Sequence, residues 1–266
     1  EPEVQMINKQ FAFNDSVPPQ PRKSPYEYIS KFFTSLHIQE IVFKQARVKY
    51  INQNGQLPEA DSVSNLNVTL KDWLIDPNSS TDPTRTYLVK DVDFSLDNYQ
   101  FATADSLYFI KVNQLDYNLK ARKLHVQKIN LEPRYTATEF GAKAGFAKDR
   151  FLVDLNDLLI HGIDLHAYIS KKHFIAQHVQ ILNGHVQVQN DNRFPKRMQD
   201  RTGRFPHQLL QGLHAKIKVD SLQLQNIDIR YIEHDKESQQ AGKVSFENTK
   251  GTVTHIGNLD PKPIME

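Results

Sequence analysis

Five histidines, His161, His166, His173, His178 and His185, fall within one short stretch at gaps of five, seven, five and seven. Imidazoles converging at about 2.0–2.1 Å on one ion, with Asp157 or Asp164 as a carboxylate ligand, would make a zinc-type site. The neighbours of these histidines give a plainer reading. Each sits in or beside a polar slot between apolar residues, which places it on the polar face of a strand, and such spacing does not by itself bring ligands together. We therefore expect no metal and no cofactor. The 31 acidic residues include no carboxylate pair set apart by its surroundings. There is no GxSxG elbow, HExxH pair, phosphate-cradling glycine loop or dinucleotide fingerprint, and ten glycines are few for catalytic loops built from backbone. The absence of cysteine removes thiol nucleophiles, disulfides and cysteine-ligated metals. The expectation is a protein that is not an enzyme.

A second polar cluster, "NDNRFPKRMQDRTGRFP", gathers Arg193, Lys196, Arg197, Arg201 and Arg204 against Asp191 and Asp200. A solvated loop is the simple reading. Contact with a phosphate or lipid headgroup through Arg193, Lys196 and Arg197 is the sharper one. Over the whole chain 33 basic residues balance 31 acidic ones, so no long-range field recruits nucleic acid. A mean hydropathy of -0.57 argues against extensive exposure to lipid, and no apolar run is long enough to span a bilayer as a helix. The opening "EPEVQMINKQ" has neither the basic start nor the apolar stretch of a signal peptide, and the chain reads as a segment of a longer protein.

The elements that must position any binding residue carry an unusual period. In "IKVDSLQLQNIDIRY" the apolar residues are Ile217, Val219, Leu222, Leu224, Ile227, Ile229 and Tyr231, at gaps of two, three, two, three, two and two. "LHIQEIVFKQARVKY" and "FIAQHVQILNGHVQV" repeat the pattern position for position, and "LKARKLHVQKINLEPRY" and "LLIHGIDLHAY" carry it in part. A step of two keeps a strand residue on one face; a step of three crosses to the other unless a bulge resets the phase.

A β-solenoid would satisfy the spacing, but each run stops after about three pentads, at "INQNGQLPEADS" or "QNDNRFPKR". The expectation is therefore a mainly β fold, a long bent and twisted antiparallel sheet forming an open, taco-like β-groove with two or three short helices. Ile38, Phe43, Val48, Val126, Leu131, Ile160, Leu165, Ile181, Val186, Leu222, Leu224 and Ile229 would line the groove. Capping boxes at Ser24/Glu27 and Thr136/Glu139 predict helices over "SPYEYISKFFTSL" and "TATEFGAKAGF", and Pro206 to Gly212 predicts a short third. No domain boundary is visible. Residues 1–266 read as one domain, with an N-terminal segment and capping helix over 14–36 and a repeat body over 36–257.

Those repeats, the connector "LEPRYTATEFGAKAGFAKDRFLVDLNDLLIHGID", the "NDNRFPKR" segment and the return "IKVDSLQLQNIDIRYIE" together resemble AsmA-like and TamB-related proteins of the bacterial envelope, the large ones of Bacteroidota in particular. The resemblance covers most of residues 36–257. It implies a periplasmic, non-enzymatic protein with an apolar β-groove, anchored at the inner membrane in its full-length form. Phospholipid or another acyl lipid would be the ligand, with inner- or outer-membrane proteins as further partners. A closed β-sandwich or solenoid serving as a scaffold or adhesin module is the alternative reading.

Overall fold

The computed structural model describes residues 2–8, 23–53, 59–86, 88–103, 105–195 and 216–259. Its strands are β1 (Glu3–Asn8), β2 (Leu36–Asn52), β3 (Glu59–Ile75), β4 (Asp91–Ala102), β5 (Tyr108–Asn118), β6 (Lys123–Pro133), β7 (Arg150–His161), β8 (His173–Asp191), β9 (Lys216–His234) and β10 (Ala241–Gly257). Helix α1 (Pro25–Ile29) precedes β2, α2 (Ala137–Ala144) joins β6 to β7, and α3 (Leu165–Lys171) joins β7 to β8. All ten strands belong to one sheet in chain order, which does not close into a barrel.

The sheet is mixed, where the sequence suggested antiparallel pairing throughout. β1–β2 and β8–β9 run parallel. Chain length supplies the reason, because a parallel pair needs a crossover of a dozen or more residues. Residues 9–35 and 192–215 separate the members of these two pairs, whereas shorter connections join most of the antiparallel neighbours.

Contacts divide the chain into two compact units, residues 1–99 with 116–120, and residues 100–115 with 121–266. The division cuts through β4 and β5, where nothing in composition marks it. In the first unit Asp72 adopts a left-handed backbone (φ 55°) within β3 and gathers two cations and an imidazole. His37 Nε2 lies at 2.8 Å, Lys90 Nζ at 2.7 Å and Arg85 Nη2 at 3.3 Å. Arg85 is almost wholly buried; it donates to the Asp72 and Leu88 carbonyls and so fastens the loop between β3 and β4.

The hydrogen bond from Lys90, reinforced by Arg85 and His37, lowers the Asp72 carboxyl to about 2. A depressed carboxyl stabilises the fold above its unfolded value near 4, and that contribution is lost as pH falls through about 2. Asp72→Asn, which keeps a residue type tolerant of positive φ, should therefore have a lower urea midpoint than the parent at pH 7. The gap should close as pH is lowered from about 4 to 2. Equal midpoints at pH 7 would remove Asp72 from the stability of this unit.

The two capping boxes are present as read, with the side chains of Ser24 and Thr136 accepting from the backbone of Glu27 and Glu139. Helix α1 stops at Ile29, however, and none of its residues is buried. A single turn with no packing partner is not extended by a good cap alone, and Phe32 and Phe33 stand exposed beyond it. The helix read over Pro206 to Gly212 lies outside the described residues.

Several of the gaps of three, though not those at Val126–Ile129, Ala176–Val179, Ile181–Gly184 or Val219–Leu222, contain a left-handed residue. Gln45, Asn65, Asp72, Asn98, Asp157, Asn226, Asn248 and His255 all lie inside strands with φ between 50° and 60°. Each stands just before an apolar or β-forming residue that resumes the face: Ala46, Leu66, Trp73, Tyr99, Leu158, Ile227, Thr249 and Ile256. Six of the eight are Asn or Asp, residue types enriched several-fold in the left-handed region. Register shifts mark bulges at Gln45 and Asn65 where β2 meets β3, and at Asn226 and Asn248 where β9 meets β10.

Candidate apolar binding face

In the second unit the gaps of three line up from strand to strand. Val126 and Ile129 on β6 face Leu158 and Leu155 on β7, these face Ile181 and Gly184 on β8, and those lie beside Leu224 and Ile227 on β9. Ala176 and Val179 lie likewise beside Val219 and Leu222, which face Ile256 and Val253 on β10. A strand that shifts phase alone would send its apolar residues to the polar face, so neighbours must shift at the same height.

The consequence is a set of continuous apolar rows. One runs Leu131, Val153, Val186, Ile229, Phe246; another Val126, Leu158, Ile181, Leu224; a third Leu124, Ile160, Val179, Leu222, Val253. Eight of the residues expected to line a groove fall in these rows: Val126, Leu131, Ile160, Ile181, Val186, Leu222, Leu224 and Ile229. Leu155 was not among them, although its gap of three to Leu158 in "DLNDLLI" carries the same signal. Ile38, Phe43 and Val48 belong to the first unit, in separate rows with Trp73, with Val68 and Phe94, and with Val63.

Leu165 is a correction. It is the first residue of α3, because the chain leaves the sheet at Gly162 (φ 70°) and Asp164 caps a helix by accepting from Ala167 N at 2.8 Å. In "HGIDLHAY" the break at Gly162 and the cap at Asp164 outweigh the hydrophobic period.

Helices close on the two strand ends of this unit. Phe140 of α2, 1% exposed, packs edge-on against Tyr108 (centroids 5.3 Å apart) with Leu107, Leu131, Tyr135 and Ala144 around it. Burial pushes the Tyr108 hydroxyl's pKa up, and that hydroxyl donates to the Asp149 carbonyl and accepts from Phe151 N, both at 3.2 Å. At the opposite strand ends α3 packs against β8, with Ile163 and Ala167 buried. Between these ends Ile129, Leu155, Leu158, Ile181, Leu222 and Leu224 are only half-buried, whereas Val126, Ile160, Ala176, Val219 and Ile227 are buried. Among the described residues no second sheet exists to lie over them.

No family model, curated protein or solved structure matches the chain. The face must be judged on its own geometry.

The opposite face of the same strands is polar and cross-linked. His178 Nδ1 meets Ser221 Oγ at 2.7 Å, Gln180 donates to Gln223 at 3.2 Å, and Asn226 to Asn183 at 3.3 Å. His161 stands opposite His178, and His185 lies between Asp154 and Asp228 in register. His166 is on α3 and His173 opens β8, so the five histidines are distributed rather than gathered. Among the described residues no group of three or more His, Asp or Glu is placed to hold a metal ion.

An open hollow of about 530 Å³ lies in this unit, lined by Lys128, Glu132, Arg150, Asp154 and His185 among others. Its charges are spent locally: Lys128 on Asp154 at 2.8 Å, Glu132 on Lys111, and Arg150 on the Tyr135 carbonyl and Gln189. Arg193, a candidate headgroup contact, grips its neighbour Asp191 through Nε at 2.8 Å and Nη2 at 2.7 Å, which lowers the Asp191 carboxyl and leaves the guanidinium occupied. Lys196 and Arg197 lie outside the described residues.

Proposed function

We propose that the apolar face of β6 to β9 receives the acyl chains of phospholipid or a related lipid, and that the protein is a non-enzymatic lipid-binding module. One observation carries this reading: aligned rows of half-buried Leu, Ile and Val with no second sheet over them among the described residues. A face of this kind is costly in water and suited to an apolar ligand. From Val219 to Tyr231 it extends about 40 Å along β9, at about 3.3 Å per residue. The acyl layer of one leaflet is about 15 Å thick, so a chain laid along the strands fits within it. Each methylene shielded there is worth about 0.8 kcal/mol.

The resemblance to AsmA-like proteins supports the same class of ligand and suggests the bacterial envelope as the setting. No helix among the described residues is long and apolar enough to cross a membrane.

Native mass spectrometry and lipid extraction of the purified chain test the proposal. Phospholipid should co-purify with the parent. It should fall several-fold in an Ile181→Asn, Leu224→Asn double variant and persist when Gln180 and Gln223 on the polar face are replaced by Asn. Lipid-free parent protein, or equal lipid in both variants, would sink the proposal.

A further inference from the structure

Among the described residues the last strand of the sheet has a neighbour on one side only. β10 pairs with β9 from Ala241 to Gly257, and the buried Asn258 side chain then accepts from Ile217 N at 2.7 Å. Its inner edge is firmly held. On its outer edge Val244, Phe246 and Val253 are 52%, 58% and 51% exposed, and almost every residue from Ala241 to His255 is exposed on both faces. A long exposed edge strand is a template for another strand.

The spacing on β10 says which strand. Phe246, Thr249, Gly251, Val253 and Ile256 follow one another at gaps of three, two, two and three, a pattern that reads the same in both directions about Gly251. The left-handed residues Asn248 and His255 each close one of the gaps of three. A flat strand with a simple period of two would meet these bulges out of phase. A second β10 running antiparallel, with its two-fold axis at Gly251, sets each gap of three against the other, with Asn248 opposite Thr254 of the partner subunit. Such facing gaps already join β6 to β7 and β7 to β8.

We propose that β10 is a self-association edge that pairs with β10 of a second copy of this chain. Phe246 then lies opposite Ile256 of the partner subunit, and Thr249 opposite Val253 of the partner subunit. Gly251 meets Gly251 of the partner subunit across the axis. On the other face Glu247 meets His255 of the partner subunit, an acid facing a base, and the two-fold supplies this pair twice. Cross-strand apolar and polar pairs of this kind help to set antiparallel register. The apolar row that reaches Phe246 continues into Ile256 of the partner subunit, and the row through Val253 ends on Thr249 of the partner subunit. The association is independent of lipid binding and is tested without lipid.

The chain has no cysteine, so a single introduced one reports register cleanly. Nothing lies within 4 Å of a Cβ built at Gly251, and Gly251→Cys is accommodated. Directly opposed residues in an antiparallel pair have Cα atoms about 4.5–5.5 Å apart, within disulfide range. Gly251→Cys should therefore cross-link to covalent dimer under mild oxidation. Ser245→Cys, whose copy would lie about 40 Å away at about 3.4 Å per residue, should cross-link at least ten-fold less.

Sedimentation equilibrium of the full chain should give twice the monomer mass. The Phe246→Lys, Val253→Lys double variant, altered at two exposed positions, should return it to monomer. A parent that stays monomeric at about 100 μM overturns the proposal. So does equal cross-linking at positions 245 and 251. A larger assembly in which Gly251→Cys forms no cross-link also overturns it, since that outcome means β10 takes some other strand.

Discussion

Replacing Gly184 by valine should lower the unfolding free energy by about 2 kcal/mol, an overpacking cost near the upper end of its range less the backbone entropy recovered. Gly184 lies in the row Ile129, Leu155, Gly184, Ile227, at the height where β6 to β9 shift phase together. Its missing side chain is not open space. A Cβ there would stand 2.6 Å from Leu155 Cδ2, 2.9 Å from the Asp154 carbonyl oxygen and 3.3 Å from Ile227 Cδ1. The leucine methyl can rotate away, but the carbonyl is fixed by the β7–β8 ladder. Two opposing terms decide the sign. Removing a strand glycine recovers about 0.5–1 kcal/mol of backbone entropy, whereas forcing a branched side chain into this space costs about 1–3 kcal/mol. Alanine should thus be mildly destabilising and valine strongly so, read as urea midpoints with an unchanged slope. An unshifted midpoint for Gly184→Val would mean that Leu155 and Ile227 do not close over the glycine.

The period of two and three in the sequence led directly to the architecture, because only a bulge resets a strand's phase without losing its face. It also located eight of the twelve expected groove residues in the rows of one unit. Three kinds of information were missing from it. The alignment of bulges between strands is a property of register, visible only once Ile181 is known to lie beside Leu224 and opposite Leu158. The parallel pairs depend on crossovers whose path local pattern does not encode, and β1 is six residues with no repeat of its own. Leu165 failed for a different reason. A short helix and a strand piece both accept "LHAY", and the choice was made by Gly162 and Asp164 just before it. Arg193 looked available because sequence shows a cation but not that Asp191, two residues away, accepts both arms of its guanidinium.

If the left-handed residues are what bend the sheet, their replacement should separate by backbone tolerance rather than by polarity. Asn226 (φ 50°) is the sharpest place to measure this. Its side chain is exposed and its one described side-chain bond is to Asn183 Oδ1 at 3.3 Å, on the polar face. Asn226→Gly and Asn226→Val both lose that bond, so the difference between them isolates the cost of holding φ positive. Glycine takes the conformation freely and should stay within about 0.5 kcal/mol of the parent, its extra chain entropy offset by relief of strain. Valine, β-branched, should lose about 1–2 kcal/mol. Its alternative is to abandon the bulge, but then Ile227 and Ile229 would turn from the apolar face to the polar one, at a cost exceeding the strain. The strained bulge should therefore persist, and Asn226→Val should unfold at lower urea with the β content of the parent by circular dichroism. Gln225→Val, one residue away and with φ outside the left-handed region, should leave the midpoint nearly unchanged. Equal loss at positions 225 and 226 would show that the side chains, and not the bend, set the energy of this strand.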